Sequence, residues 1–224
     1  MKSSLFEKIR SVVKITLSGD FKRLTEQLTR YARHKLKDQW EFVYFELPLD
    51  EAIFSIKMRE NVLIRSAVQS DISRIESQIY PFVGSNEKND KRYISLIGRK
   101  GIRCFVAEKD DKLIHYCWAF DRALESPLMN TPFDKTKVLD EDAYLGPAFT
   151  NPNVRGTWIF PYSLSKICEY IKNNTDATRV LLFVHKDNPG AVGFYRRLGF
   201  REIVNACPSG PVAAVKQKLV RLWK

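Results

Sequence analysis

Residues Val180 to Phe200 read VLLFVHKDNPGAVGFYRRLGF, and this stretch decides the fold. Val180 to Val184 is an unbroken apolar run, the pattern of a strand covered on both faces. Asn188 can cap a following helix, Pro189 suits its first position, and Gly199 suits a left-handed stop after Leu198. A buried strand, a turn and a short punctuated helix therefore stand in a row. Asn188 and Tyr195 fall on neighbouring turns beside the end of the strand.

Upstream the pattern continues in the same vocabulary. Trp40 to Leu47, WEFVYFEL, is aromatic and β-prone and ends at Pro48 and Asp50; it is read as a strand belonging to an N-terminal leader. Val62 to Arg65 reads as a strand, followed by Ser70-Asp71 and a helix carrying Ile72, Ile75 and Ile79. Cys104 to Ala107, the charged Lys109 to Lys112, and Leu113 to Phe120 form a hairpin. Ser126 to Lys137 reads as a loop, Ala143 to Thr150 as a strand, and Pro161 to Lys172 as a helix. Arg201 to Cys207 and Val212 to Trp223 are expected as closing strands. The order predicts a mixed α/β sheet. Gly146-Pro147 inside the strand at 143–150 implies an edge or a bulge, because proline cannot donate in a ladder.

The arrangement resembles the GNAT superfamily of N-acetyltransferases. Asn188, Phe194, Tyr195, Gly199 and Phe200 stand at the spacing of its Asn after the fifth strand, Phe-Tyr and Gly-Phe. The resemblance covers roughly residues 61–212. It implies a mostly antiparallel sheet with flanking helices, splayed fourth and fifth strands, and a bulge on the fourth. It also implies acetyl-CoA, or another acyl-CoA, as co-substrate and no metal.

Residues 150–161, TNPNVRGTWIFP, stand where the family places its pyrophosphate loop. There backbone N–H groups at a helix start meet phosphate oxygens with the positive end of the helix dipole. Phe149, Thr150, Arg155, Gly156, Thr157, Trp158, Ile159, Phe160, Asn188 and Tyr195 are the implied cofactor-binding residues. Arg155-Gly156 matches the family's opening, whereas Trp158 stands in place of a glycine and Phe160 in place of a small residue. Trp158 can point away or can close the site.

Acyl transfer to an amine needs a neutral nucleophile, donors for the oxyanion and a proton for the leaving thiolate. The resemblance assigns that proton to Tyr195 and a hydrogen bond near the pantetheine arm to Asn188. Three base candidates stand beside plainer readings: Glu141 and Asp142 as an acidic turn, and His115 as a satisfied strand histidine. No Ser-His-Asp order or Cys-His pair suggests a covalent intermediate, so direct attack in a ternary complex is expected.

Composition sets the remaining bounds. The chain has 224 residues, 44% hydrophobic and 12% aromatic, enough for a proper core. Two domains are expected: residues 1–60 as a basic helical leader with one strand, and residues 61–224 as the acyltransferase domain. In the leader, Leu5 to Val13 and Phe21 to Tyr31 show helical spacing. Residues 1–40 carry six of the eleven net positive charges. Those helices can pack on the domain or rest on a membrane surface. No stacking or groove-reading motif accompanies the charge, so nucleic acid is not an expected partner. A small-molecule amine is the expected acceptor, with a non-catalytic acyl-CoA-binding scaffold and a membrane-surface acyltransferase using longer acyl chains as alternatives, and a homodimer is compatible with the pattern. Cys104, Cys117, Cys168 and Cys207 have no CxxC pair or metal-ligand spacing and are read as free thiols. No run approaches the roughly 20 apolar residues of a spanning helix. A cytoplasmic protein is expected, with peripheral membrane contact through residues 1–40 as its variant.

Overall fold

The computed structural model describes residues 42–51, 53–58, 61–83, 92–204 and 206. The expected leader helices and the expected strand at 212–223 lie outside these residues. Seven strands form one sheet: β1 (Phe42–Pro48), β2 (Leu63–Ser66), β3 (Ile102–Lys109), β4 (Lys112–Phe120), β5 (Asp142–Thr150), β6 (Arg179–His185) and β7 (Arg201–Glu202). Among the described residues they are accompanied by α1 (Asp71–Gln78), α2 (Ile159–Asn174) and α3 (Pro189–Arg197). The strand order is β2-β3-β4-β5-β6-β1-β7. β2 to β5 pair antiparallel in sequence order, β5 and β6 pair parallel, and β1 pairs antiparallel with β7. The mixed, mostly antiparallel sheet is the one expected.

Local chemistry explains most of these elements. The β3–β4 turn places Asp110 and Asp111 at φ of 50° and 59°, a left-handed pair that aspartate tolerates and a tight hairpin requires. At α1, the Arg65 guanidinium donates to both oxygens of buried Asp71 at 2.6 and 2.8 Å, and Val68 N–H donates to the same carboxylate at 2.9 Å. These partners hold the Asp71 carboxyl at a pKa of about 2, with the Arg65 hydrogen bond as the largest cause. Arg65 and Arg74 also reach Glu108 at 2.9 and 2.6 Å, which ties β2 and α1 to β3.

Three elements differ from expectation. β1 is a strand of the main sheet rather than a leader appendage: it lies between β6 and β7, with Phe45 opposite Glu202 and Glu46 opposite Arg201. β7 is only two residues long. Ile203 N–H still donates to the Tyr44 carbonyl at 2.9 Å, but the chain then turns and the Ala206 carbonyl accepts from Asp134 N–H at 2.6 Å. The loop expected at 126–137 is built largely of 3-10 turns, with Ser126 and Asp134 each capping one.

The core lies between one sheet face and the two later helices. Leu164, Ile167, Cys168 and Ile171 recur at helical spacing on α2 and pack with Phe45, Phe105, Cys117, Ala119, Ala143, Leu145, Val180, Leu182 and Val184. Val192, Phe194 and Tyr195 of α3 join the same cluster. α2 and α3 thus cover one face. The alternate residues of the strands, Tyr44, Trp118, Phe120, Tyr144 and Phe183, form an aromatic layer on the other, where ring centroids of Tyr144 and Phe183 lie 5.9 Å apart. Cys104, Cys117 and Cys168 are buried free thiols, and burial pushes the Cys117 thiol up to about 12.

Candidate active site

β5 and β6 pair only at Asp142 with Arg179, Ala143 with Val180 and Tyr144 with Leu181. Both strands run on, to Thr150 and His185, without pairing again. The cause is visible one strand over. Cys117 and Ala119 of β4 face Ala148 and Leu145, so β5 spends one residue more than β4 across this interval. That is a bulge at Gly146-Pro147, where the sequence expected one. Gly146 has φ +128°, and a Cβ there would lie 3.0 Å from the Tyr144 hydroxyl oxygen. Beyond Tyr144 the β6-facing edge of β5 has no ladder partner in β6, which opens a wedge in the sheet.

At the far end of β5 the chain enters α2. Arg155 Nε donates to the Thr150 carbonyl at 3.0 Å, and the guanidinium sits 5.3 Å over the Phe149 ring. Thr157 Oγ1 donates to the Val154 carbonyl at 2.7 Å. The left-handed position of the loop is Gly156, at φ +77° with open space around a Cβ. Trp158 has φ −79°, which any residue adopts, and its side chain is 64% exposed. The Trp158 ring lies largely in solvent at the N-cap of α2. At the first turn of α2, Ile159 N–H donates to Thr157 Oγ1 at 3.4 Å. Gly156→Ala is therefore expected to cost about 1–2 kcal/mol in urea unfolding, whereas Trp158→Ala changes stability by less than about 0.5 kcal/mol.

Phe160 gathers the pieces of the site. Its ring stacks on Phe194 at 5.3 Å and lies 6.1 Å from Tyr195 and 5.4 Å from His115. The bulky residue standing where a small one was expected thus joins the first turn of α2 to α3. On α3, Asn188 Oδ1 accepts from Ala191 N–H at 3.1 Å, the cap the sequence called for, and Gly199 closes the helix at φ +89°. Tyr195 is held by Phe45, Phe194 and Phe200 at 5.7, 5.4 and 5.2 Å. Burial raises the Tyr195 pKa well above the usual phenol value, so the hydroxyl keeps its proton.

The three base candidates are not brought together. Glu141 is exposed in the turn before β5, and its carbonyl accepts from Thr178 N–H at 2.9 Å. Asp142 is fully buried at the opposite end of β5 from Thr150. Its oxygens accept from Arg179 Nε at 2.6 Å and Nη2 at 2.9 Å, and from Leu139 N–H at 2.7 Å. Arg179 also binds Glu46 at 2.6 Å. Asp142 is thus committed to an ion pair that locks the closed end of the β5–β6 ladder. His115 is completely buried, with Nδ1 2.9 Å from Thr150 Oγ1.

Burial lowers the His115 pKa to about 3, against a smaller opposing pull from the Phe149 backbone. At neutral pH the imidazole is uncharged. In the unfolded chain it takes a proton near pH 6.5 and in the folded chain only near 3, so its contribution is complete above 6.5 and declines as the pH falls below that. Stability is expected to fall with acidification between these values by up to about 1.4 kcal/mol per pH unit from this residue, and His115→Phe flattens that slope. Urea unfolding across pH 4–7 reads it.

The sequence reading passed over Tyr144, whose ring lies at the mouth of the wedge between Phe120 and Phe183 at 6.0 and 5.9 Å. The available signal was its position two residues before Gly146, on the same strand face.

Comparison with known proteins supports this architecture. AAC(6')-Iy in complex with a bisubstrate analogue, CoA-S-monomethyl-acetylneamine, superposes with a TM-score of 0.51 at 13% identity, covering 64% of this chain and 92% of that one. The aminoglycoside antibiotic 6'-N-acetyltransferase AAC(6')-Ih from Acinetobacter baumannii gives 0.49 at 18% identity, covering 63% and 92%. A functionally unknown conserved protein from Staphylococcus epidermidis gives 0.48 at 15% identity; the match covers 72% of this chain and only 57% of that protein's length. At 13% identity the likeness to AAC(6')-Iy concerns the fold alone. A sequence search of curated proteins finds no significant match. The sequence profile of the acetyltransferase (GNAT) family matches residues 70–200, from the residue before α1 to the residue after Gly199. That match spans more than half of the chain, and the protein belongs to the GNAT acetyltransferase family.

Proposed function

We propose that the protein transfers an acetyl group from acetyl-CoA to a primary amine on a small molecule, by direct attack in a ternary complex. The observation that carries this reading is the β5–β6 wedge. It begins at Tyr144, and Tyr195 of α3 lies on the face that α2 and α3 cover. The residues present fit the co-substrate. Gly156 turns the loop into α2, the Trp158 side chain lies largely in solvent, and Arg155 adds positive charge. Those groups would hold a pyrophosphate at the positive end of α2. The side-chain NH2 of Asn188 and the unpaired edge of β5 beyond Tyr144 would meet the amides of a pantetheine arm.

Acetyl-CoA supplies an activated thioester. The amine nitrogen forms a bond to the carbonyl carbon, the carbon–sulfur bond breaks, and Tyr195 gives its proton to the departing sulfur. The phenol suits this because burial keeps it protonated. The proton shed by the amine passes to solvent, since Asp142 is occupied by Arg179 and Glu141 lies in an exposed turn. Release of CoA thiol, followed with acetyl-CoA and a panel of primary amines beginning with amino sugars, tests the reading. Amine-dependent release supports it; none across small-molecule amines overturns the acceptor class.

A further inference from the structure

Tyr144 is the last β5 residue in the ladder with β6. Its side chain lies on the opposite face of the sheet from Ala143 and Leu145, which pack under α2 and α3. The two phenols of the site, Tyr144 and Tyr195, thus approach the wedge from opposite faces.

The Tyr144 ring is fixed. It is 3% exposed and walled by Phe120 and Phe183. Its hydroxyl runs forward along the strand to Gly146, where even a methyl group would lie 3.0 Å from the oxygen. Only glycine leaves that space, and Gly146 is the residue at which β5 bulges. Among the described residues no group hydrogen-bonds this hydroxyl. With no partner among the described residues, the hydroxyl is available to water or to a ligand. Burial raises its pKa well above the usual phenol value, with smaller contributions from the nearby Tyr93 and Tyr195 hydroxyls. It is therefore neutral, able to donate one hydrogen bond and to accept others.

We propose that the Tyr144 hydroxyl oxygen accepts a hydrogen bond from the N–H of the incoming amine, aligning its lone pair with the thioester carbon on the face opposite α2 and α3. The inference rests on the acyl-transfer reading above. With a thioester lodged in the wedge and its sulfur toward Tyr195, the nucleophile must come from the other face. There the aromatic layer of Tyr44, Trp118, Phe120 and Phe183 offers Tyr144 Oη as the polar group beside the bulge. Accepting from nitrogen, rather than donating to it, leaves the lone pair free to attack.

Two CoA thioethers separate this role from packing. One carries CH2–C(O)–NH–C2H5 on the sulfur and mimics the bonded amine; the other carries the ester, with oxygen in place of NH. Isothermal titration of the wild-type chain is expected to show the amide binding about three- to tenfold tighter than the ester, the worth of one neutral hydrogen bond. Tyr144→Phe keeps the ring, should hold CoA affinity within about twofold, and should abolish the amide–ester difference. Equal binding of both analogues by the wild type, or a difference that persists in Tyr144→Phe, overturns the inference. Failure of the wild type to bind CoA at all overturns the acyl-transfer reading instead, and this inference with it.

Discussion

Tyr195→Phe is expected to lower kcat for amine acetylation by about 10²- to 10³-fold while leaving acetyl-CoA affinity within about twofold. The substitution removes one oxygen and keeps the ring that touches Phe45, Phe160, Phe194 and Phe200. Packing is therefore nearly unchanged, and the loss falls on the step in which the thiolate leaves. Without a proton donor, the thiolate must depart as the anion. The raised pKa of the phenol adds a second expectation: the proton is retained through mildly alkaline pH, so this group gives no downward limb in kcat between pH 7 and 9. Steady-state kinetics on the folded variant, with binding measured separately, reads both. Unchanged turnover would make Tyr195 a packing residue and no more.

The second large effect is on stability. Arg179→Met is expected to destabilise the fold by about 3–5 kcal/mol, read as a lower urea midpoint. Asp142 is fully buried, and two of its three hydrogen bonds come from Arg179. Removing the guanidinium strands that carboxylate in the sheet and also frees Glu46 and the Lys137 carbonyl. Adding Asp142→Leu to Arg179→Met removes the stranded charge and should recover much of the loss. The same comparison bears on chemistry. Were Asp142 the base, Asp142→Asn would abolish turnover in a fold of wild-type stability; the ion pair predicts that stability falls instead.

Much of the fold is legible in the sequence because its signals are local. Asn188, Pro189 and Gly199 mark the ends of α3 within a dozen residues, and each takes the geometry its chemistry favours. Pro147 signals the bulge because it lacks an N–H, whatever lies across the ladder. What escaped the sequence reading is set by distant partners. Nothing within Phe42–Pro48 says that β1 will lie between β6 and β7, since the pairs Phe45–Glu202 and Glu46–Arg201 join residues from opposite ends of the described chain. Asp142 looks like any acidic turn residue until Arg179, 37 positions later, closes on it, and Glu46 lies 133 positions from that arginine.

The site shows the same division. Trp158 departs from the phosphate-loop pattern, in which a glycine stands there. The backbone shows that Gly156 carries the loop's positive φ, while Trp158 has φ −79°, a conformation any residue adopts. Phe160 looked too large, yet its size is used against Phe194 and His115. Tyr144 gave no motif; its meaning comes from the end of a ladder and the close approach of its hydroxyl to Gly146.

The most direct test is isothermal titration of the purified chain with acetyl-CoA and, separately, with CoA. Saturable one-to-one binding of both, weakened by Gly156→Val and spared by Trp158→Ala, is the result the wedge and the Gly156 turn predict. No binding of either ligand by the folded protein would contradict the account.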